Sequence, residues 1–142
     1  MILVDANLLL YATFREAPEH AKALAWLEDR LDGTPRIGLP WPSLLAFIRI
    51  STHPRISQSP LPVGRAWEQV TDWLGRHPSW IPAPTERHAE TLGAMLGTAG
   101  LRPDDVADAH LAALSIEHGL TLCSADAGFA RFEGLRWENP LA

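Results

Sequence analysis

The spacing of apolar and polar residues along the chain predicts an α/β protein. Residues 1–4 and 120–123 are short apolar runs, and an aspartate follows each of them within three residues. Continuous apolar runs of this length are typical of strands that are buried on both faces, as in parallel sheets. Two further short strands are predicted, at residues 36–39 and 80–82.

Helical periodicity fills the segments between these strands. Apolar residues recur at helical spacing, and prolines and glycines mark the ends of each run. The predicted helices cover residues 6–13, 18–31, 42–50, 63–76, 86–98 and 103–118, with a loop at residues 53–62. Gly119 is well placed to end the last helix. The order of elements predicts one domain over residues 1–142, a three-layer α/β architecture in which helices flank a parallel sheet.

Composition narrows the setting in which the protein works. The chain has 142 residues, of which 46% are hydrophobic and 20% are charged, as in compact globular proteins. No apolar run approaches the roughly 20 residues of a membrane span, and the N-terminus lacks the basic segment of a secretory signal. The single cysteine, Cys123, lies in a predicted strand and has no partner for a disulfide. These features predict a cytoplasmic protein without a membrane partner.

The charge distribution is more informative than the net charge. A formal net charge of -5 argues against a generally basic nucleic-acid binder. From Gly33 to Trp67, however, there is no Asp or Glu, and the segment carries Arg36, Arg49, His53, Arg55 and Arg65. An acid-free stretch also arises by chance. The alternative is a local phosphate-binding surface, in which Arg49 and Arg55 are the predicted substrate-binding residues.

Carboxylates are placed where a parallel sheet would bring them together. Asp5 and Asp126 follow predicted strands that are about 120 residues apart in the chain. Ligands of open α/β sheets bind in the crevice at the carboxyl ends of the strands. Asp108 lies near the start of the helix that leads into the last strand, three residues after Asp105 and on the same helical face. Such a cluster favours a hard divalent cation, Mg²⁺ or Mn²⁺.

These positions define the predicted site. Asp5, Asp108 and Asp126 are the predicted metal-binding and catalytic residues. Asp105 is the predicted additional ligand, although Asp104 and Asp105 also suit a purely structural role at the helix start. Two polar residues near the acids, Asn7 and Ser124, are predicted to orient a carboxylate or a bound water.

The residues around these acids resemble those of PIN-domain nucleases, in particular VapC-type toxins of bacterial toxin–antitoxin pairs. The similar segments are residues 3–7, 42–52, 108–113, 117–119 and 124–129. The resemblance implies a metal-dependent ribonuclease that forms a homodimer and is neutralised by a small VapB-like antitoxin. Many PIN domains carry a glutamate three residues before the position of Arg49. This chain has Ala46 there, which leaves the number of metal ions open.

The resulting hypothesis is an endoribonuclease that hydrolyses RNA in line and leaves a 5′-phosphate and a 3′-hydroxyl. A second hypothesis is a catalytically silent PIN fold that acts as a binding module, and Ala46 is its main support. A phosphoryl-transfer or receiver domain is disfavoured, because the only lysine, Lys22, lies in a predicted helix.

The histidines and tryptophans indicate less about function than the aspartates do. The six histidines show no zinc-site spacing and are interpreted as surface or packing residues. Among the tryptophans, Trp26, Trp67 and Trp73 are predicted to face the core, whereas Trp41, between two prolines, also suits a groove for a partner helix.

Overall fold

The computed structural model describes residues 1–142 and consists of five strands and six helices. The strands are β1 (Ile2–Val4), β2 (Ile37–Gly38), β3 (Ser79–Trp80), β4 (Thr121–Cys123) and β5 (Trp137–Glu138). The helices are α1 (Ala6–Thr13), α2 (His20–Leu31), α3 (Trp41–Ser51), α4 (Val63–Leu74), α5 (His88–Leu96) and α6 (Val106–His118). Short 3₁₀ helices cover Pro103–Asp105 and Ala127–Arg131.

All neighbouring strands of the single sheet are parallel, in the order β3-β2-β1-β4-β5. The central strand β1 pairs with β4 so that Leu3 lies opposite Leu122 and Val4 lies opposite Cys123. Both strands therefore end at the same edge of the sheet. The residues that follow them, beginning with Asp5 and Ser124, emerge next to one another.

The two faces of the sheet bury separate apolar clusters, because successive side chains of a strand point to opposite faces. Val4 packs into the larger cluster, which is formed mainly with α1, α2, α3 and α4. Leu3 packs into the smaller cluster, together with α5, α6 and the segment after β4. Helices cover both faces, which confirms the predicted three-layer α/β architecture.

The helix that carries Asp108 is delimited as its sequence predicts. Proline opens the 3₁₀ helix Pro103–Asp105, and α6 continues from it. Asp105 caps this start by accepting a hydrogen bond from the backbone N–H of Arg102 at 3.0 Å. At the other end Gly119 adopts φ 66°, a left-handed conformation in which a side chain would be strained. The chain then turns directly into β4.

Element boundaries differ from the predictions by a few residues. The helix predicted from Pro18 begins at His20, because residues 15–19 form turns ahead of it. The helix predicted from Glu86 begins at His88, since the Thr85 hydroxyl accepts a hydrogen bond from Arg87 N–H and holds the chain in a turn. The predictions missed β5, a two-residue strand at the sheet edge.

The core prediction for Trp67 is wrong. The buried residues of α4 are Ala66, Val70 and Trp73, and this stripe turns Trp67 outward. Trp67 is 47% exposed and stacks on Trp41, which is 39% exposed, with ring centroids 6.4 Å apart. Trp73 is buried and packs edge-on against Phe47, as its spacing predicts.

Two further features of the fold concern the environment of Cys123 and the length of the helices. Cys123 is 2% exposed in β4, and burial raises the pKa of its thiol to about 12, so the thiol is inert at neutral pH. None of the helices is both long and apolar enough to span a lipid bilayer.

Candidate functional site

Asp5 is held rigidly at the junction of β1 and α1. Its Oδ1 accepts a hydrogen bond from the backbone N–H of Ala6 at 2.8 Å, and its Oδ2 accepts one from the Ser124 hydroxyl at 2.7 Å. The backbone of Asp5 is extended, as is usual for a residue that caps a helix. The same carboxylate therefore begins α1 and reaches across to the end of β4.

Ser124 links the ends of the two central strands. The residue is fully buried, and its hydroxyl oxygen accepts hydrogen bonds from Asn7 Nδ2 and from the backbone N–H of Asp126, each at 3.0 Å. Asn7 also accepts from the N–H of Ala125 at 3.3 Å. With three partners, the Ser124 hydroxyl has one orientation, and its proton points at Asp5.

Asp126 lies just beyond this network and is exposed. Its Oδ1 accepts a hydrogen bond from the backbone N–H of Gly128 at 2.8 Å, which starts the 3₁₀ helix Ala127–Arg131. A Cβ atom at position 128 would lie 3.0 Å from this oxygen. Glycine thus lets the backbone approach the carboxylate closely.

Asp108 in α6 and Asp105 at the end of the preceding 3₁₀ helix are bridged by Arg131. One guanidinium nitrogen, Nη2, lies 3.1 Å from Asp105 Oδ1 and 3.7 Å from Asp108 Oδ2. The side chain of Asp105 is 11% exposed and that of Asp108 is 25% exposed. Because Asp105 Oδ2 accepts from Arg102 N–H, both of its oxygens are engaged by protein groups.

The pKa directions show that three of the carboxylates interact. Burial, together with the negative charges of Asp5 and Asp126, raises the pKa of Asp108 to about 6 against the opposing effect of Arg131. Burial also raises the pKa of Asp5, partly offset by its hydrogen bonds from Ser124 and Ala6, and the charge of Asp126 adds to the rise. The negative charges of Asp5, Asp108 and Asp126 thus repel one another, and a cation would relieve that repulsion.

Asp105 behaves in the opposite way. Its pKa is lowered, chiefly by the hydrogen bond from the backbone N–H of Arg102 and also by Arg131. This carboxylate is already compensated by protein groups, and a metal ligand role for it would require exchange of the Arg131 contact.

The carboxylate oxygens suit a divalent cation that keeps several water ligands, rather than one whose ligands all come from the protein. No group of three or more His, Cys, Asp or Glu side chains is arranged so that it could hold a metal ion by itself. The acids nevertheless offer hard oxygen donors and uncompensated negative charge. Mg²⁺ usually keeps several waters and binds proteins through one or two carboxylates together with substrate phosphate. The residues present therefore fit such an ion.

The other predicted residues form no hydrogen bond or ion pair with the acids. Arg49 is exposed on α3 and Arg55 is exposed in the loop that follows, and neither forms an ion pair. Ala46 is half-buried on α3 and brings no carboxylate. Asp104 is exposed in the 3₁₀ helix Pro103–Asp105.

Two features were missed from the sequence. Arg131 lies five residues after Asp126, and its position near the acids depends on the 3₁₀ helix between them. The second feature is a buried polar network between α5 and α6. Glu117 accepts hydrogen bonds from the N–H and hydroxyl of Thr85 at 3.0 and 2.6 Å and contacts His88 Nδ1. His88 Nε2 in turn lies 3.0 Å from His110 Nδ1.

Comparison with known sequences identifies the family. The sequence model of the PIN domain matches residues 2–135. The chain is 44% identical over 142 residues to Ribonuclease VapC37 of Mycobacterium tuberculosis, covering 100% of this chain and 99% of that protein. It is 38% identical over 141 residues to Ribonuclease VapC33 of the same species, with 99% of each covered. The chain belongs to the PIN domain family, which confirms the resemblance.

Solved structures agree on the fold. The chain superimposes on VapBC2 from Rickettsia felis, described as bound to a DNA fragment from their promoter, with a TM-score of 0.71, 18% identity and 98% of each chain covered. A structure of FitAB bound to the IR36 DNA fragment gives a TM-score of 0.70 at 19% identity, covering 100% of this chain and 96% of the other. At these identities the likeness concerns architecture alone.

Proposed function

We propose that this protein is an endoribonuclease and the toxin of a VapBC-type toxin–antitoxin pair. The observation that carries the proposal is the proximity of Asp5, Asp108 and Asp126, whose like charges add to burial in raising the pKa of Asp108 to about 6. Neighbouring carboxylates with raised pKa values are typical of functional sites. Support also comes from full-length relatives that are named as VapC ribonucleases.

Asp5, Asp108 and Asp126 would hold Mg²⁺ or Mn²⁺ at the carboxyl edge of the sheet. When bound, the cation supplies positive charge to the phosphodiester and to the attacking water. Ser124 and Ala6 keep both oxygens of Asp5 in fixed directions, and Gly128 N–H does the same for one oxygen of Asp126. Asn7 acts through Ser124, whose hydroxyl it holds.

RNA is the proposed substrate, and Arg49 and Arg55 are proposed to bind its phosphates away from the cleavage point. Both guanidinium groups are exposed and lie in the acid-free stretch between Gly33 and Trp67. The proposed products carry a 5′-phosphate and a 3′-hydroxyl. A 2′,3′-cyclic phosphate would show instead that the ribose hydroxyl attacks.

The proposed partners are a VapB-like antitoxin and a second copy of the chain. Solved neighbours are described as VapBC and FitAB complexes. On this chain the exposed apolar side chains of α3 and α4, Trp41, Leu45, Val63 and Trp67, offer a surface that a partner would cover. Light scattering of the purified chain, alone and with the product of a neighbouring antitoxin gene, tests both assignments.

A catalytically silent binding module is the second candidate, and Ala46 favours it because no carboxylate lies at that point of α3. One experiment separates the two functions. The purified protein is incubated with single-stranded RNA in Mg²⁺ or Mn²⁺, in EDTA, and in EDTA followed by excess metal. Cleavage that EDTA stops and metal restores supports the nuclease. RNA binding without cleavage under every condition supports the binding module.

A further inference from the structure

Arg131 is the one cation that reaches two carboxylates of the pocket, and the proposed function gives it no role. Its Nη2 lies 3.1 Å from Asp105 and 3.7 Å from Asp108. A guanidinium group has five N–H donors. Both ion-pair contacts use the same nitrogen, so Nη1 and Nε remain without an acidic partner in the protein.

Asp105 fixes the position of this guanidinium. The Asp105 carboxylate is 11% exposed, and its second oxygen is tied to the backbone of Arg102 at 3.0 Å. The guanidinium group is restrained by Phe132 as well, since its Cζ lies 5.1 Å from the centroid of the Phe132 ring. Arg131 therefore loses little conformational entropy when it binds a ligand.

The side chain of Arg131 also forms part of the wall of a surface cavity of about 470 Å³. The other lining residues are Ala94, Met95, Gly97, Thr98, Ala99 and Glu133. Most of them are small and lie at or just beyond the C-terminal end of α5, so the cavity has room for a nucleotide unit. Its one carboxylate, Glu133, faces the same space and would disfavour an anion unless the anion lies at Arg131.

We propose that Arg131 binds a phosphate of the RNA substrate, while Asp105 serves as its anchor and the adjoining cavity receives the neighbouring nucleotide. The inference rests on the proposed ribonuclease function. Free guanidinium donors suit a phosphate because hydrogen bonds between a guanidinium and an anion are short and strong. Arg131 thus brings a positive charge to the one region of the site that is otherwise acidic.

RNA binding tests the proposal independently of turnover. Affinity for a labelled single-stranded RNA is measured by fluorescence anisotropy in the Asp5→Asn background, with Mg²⁺ present. Arg131→Met is expected to weaken binding about tenfold, and Arg131→Lys less, because lysine keeps the charge but loses the paired donors. The matched control is Arg102→Met, which removes another arginine near Asp105, one whose side chain is 77% exposed, and is expected to change affinity less than about twofold.

A double variant separates phosphate binding from a structural role. Arg131→Met alone leaves Asp105 buried without its guanidinium partner. Asp105→Asn combined with Arg131→Met removes that charge and keeps an acceptor for Arg102 N–H. We expect the double variant to melt close to the parent protein and still to bind RNA weakly. Recovery of RNA affinity in the double variant would overturn the proposal.

The cavity is tested by a charge placed in its wall. Ala94 lines the cavity, so Ala94→Glu places a negative charge in its wall. Ala89→Glu adds the same charge at an exposed position of the same helix. We expect Ala94→Glu to weaken RNA binding about fivefold and Ala89→Glu to have a much smaller effect. Equal effects of the two substitutions would show that the cavity does not receive a nucleotide. If the wild-type protein cleaves RNA but Arg131→Met binds RNA as tightly as its parent, the role of Arg131 is excluded and the proposed ribonuclease function stands. If the wild-type protein cleaves no RNA, the proposed ribonuclease function is excluded.

Discussion

Two groups of buried carboxylates in this protein are treated in opposite ways by their surroundings. At the sheet edge, Asp5 and Asp108 have raised pKa values, because burial and neighbouring negative charges disfavour the ionised form. Between α5 and α6, the fully buried Glu117 has a lowered pKa, because hydrogen bonds from Thr85 and His88 outweigh its burial. All are carboxylates, and the more deeply buried Glu117 is the one with the lowered pKa: its side chain is 0% exposed and that of Asp108 is 25% exposed, so their partners decide the direction of the shift.

These different surroundings indicate a structural role for Glu117 and a candidate functional role for Asp108. Glu117 has enough donors to remain ionised, and its network ties α5 to α6, so its charge stabilises the fold. Asp108 has only the distant contact of Arg131 and is surrounded by like charge. Its ionised form costs stability, and a bound cation would relieve that cost.

The largest expected effect is on cleavage. Asp5→Asn keeps the acceptor for Ala6 N–H but removes the negative charge, so the rate of RNA cleavage should fall by a factor on the order of 10³ with the fold unchanged. Single-turnover cleavage in Mg²⁺ measures the rate, and circular dichroism checks the fold. Asp104→Asn, at an exposed acid of the same region, is the control and should cleave normally. Wild-type activity in Asp5→Asn would remove this acid from the reaction.

Breaking the satisfied network should destabilise the protein. Glu117→Gln replaces the charged acceptor of Thr85 and His88 with a neutral one, and we expect it to lower the free energy of unfolding by about 1.5–3 kcal/mol. Urea unfolding at pH 7 measures the change. Glu86→Gln, an exposed neighbour in sequence of Thr85, should change it little. An unchanged free energy of unfolding for Glu117→Gln would show that the network does not hold α5 and α6 together.

Neutralising the unsatisfied acid should stabilise the protein in the absence of metal. Asp108→Asn removes a carboxylate whose pKa is raised to about 6 from 3.8, and the expected gain in free energy of unfolding is about 1–3 kcal/mol in EDTA at pH 7.5. Because the folded form binds the proton more tightly, the ionisation penalty is full above pH 6 and disappears below the unfolded pKa of 3.8.

The gain from Asp108→Asn should therefore shrink as the pH is lowered from 7 to 4, and Asp104→Asn should show no such trend. The ionised Glu117 carboxylate contributes to stability with the opposite sign, because its pKa is lower in the folded protein than in the unfolded chain. Its stabilising contribution is complete above the unfolded pKa of 4.5 and is lost as the pH falls through the folded pKa. A pH-independent difference between wild type and Asp108→Asn would contradict the assigned electrostatics.

The smallest expected effect concerns the exposed arginines. Arg49→Gln and Arg55→Gln should each weaken RNA binding about twofold to fivefold and reduce the slope of log affinity against log salt by about 0.7. Salt titrations followed by anisotropy measure both quantities. Arg36→Gln is the control, because Arg36 precedes β2 at the opposite edge of the sheet from the acids and packs over Trp80. Equal salt slopes for the three variants would show that Arg49 and Arg55 do not contact phosphate.

Much of the fold was predictable because its signals are local. The apolar runs before Asp5 and around Leu122 are buried strands, and Gly119 ends α6 as expected. The convergence of Asp5 and Asp126 also followed from sequence, since parallel strands must end at a common edge. Helix starts were displaced by turns such as the one that Thr85 stabilises, which depends on the distant Glu117.

The sequence by itself determined the class of fold and the family and indicated the candidate acids of the site, because apolar periodicity and strand-end aspartates are encoded by neighbouring residues. Only the tertiary structure decided which carboxylates are compensated. Arg131 reaches Asp105 and Asp108 across more than 20 residues of chain, and Glu117 meets Thr85 and His88 across about 30. Those contacts are set by how α5, α6 and the 3₁₀ helix Ala127–Arg131 pack, and packing depends on the whole chain at once.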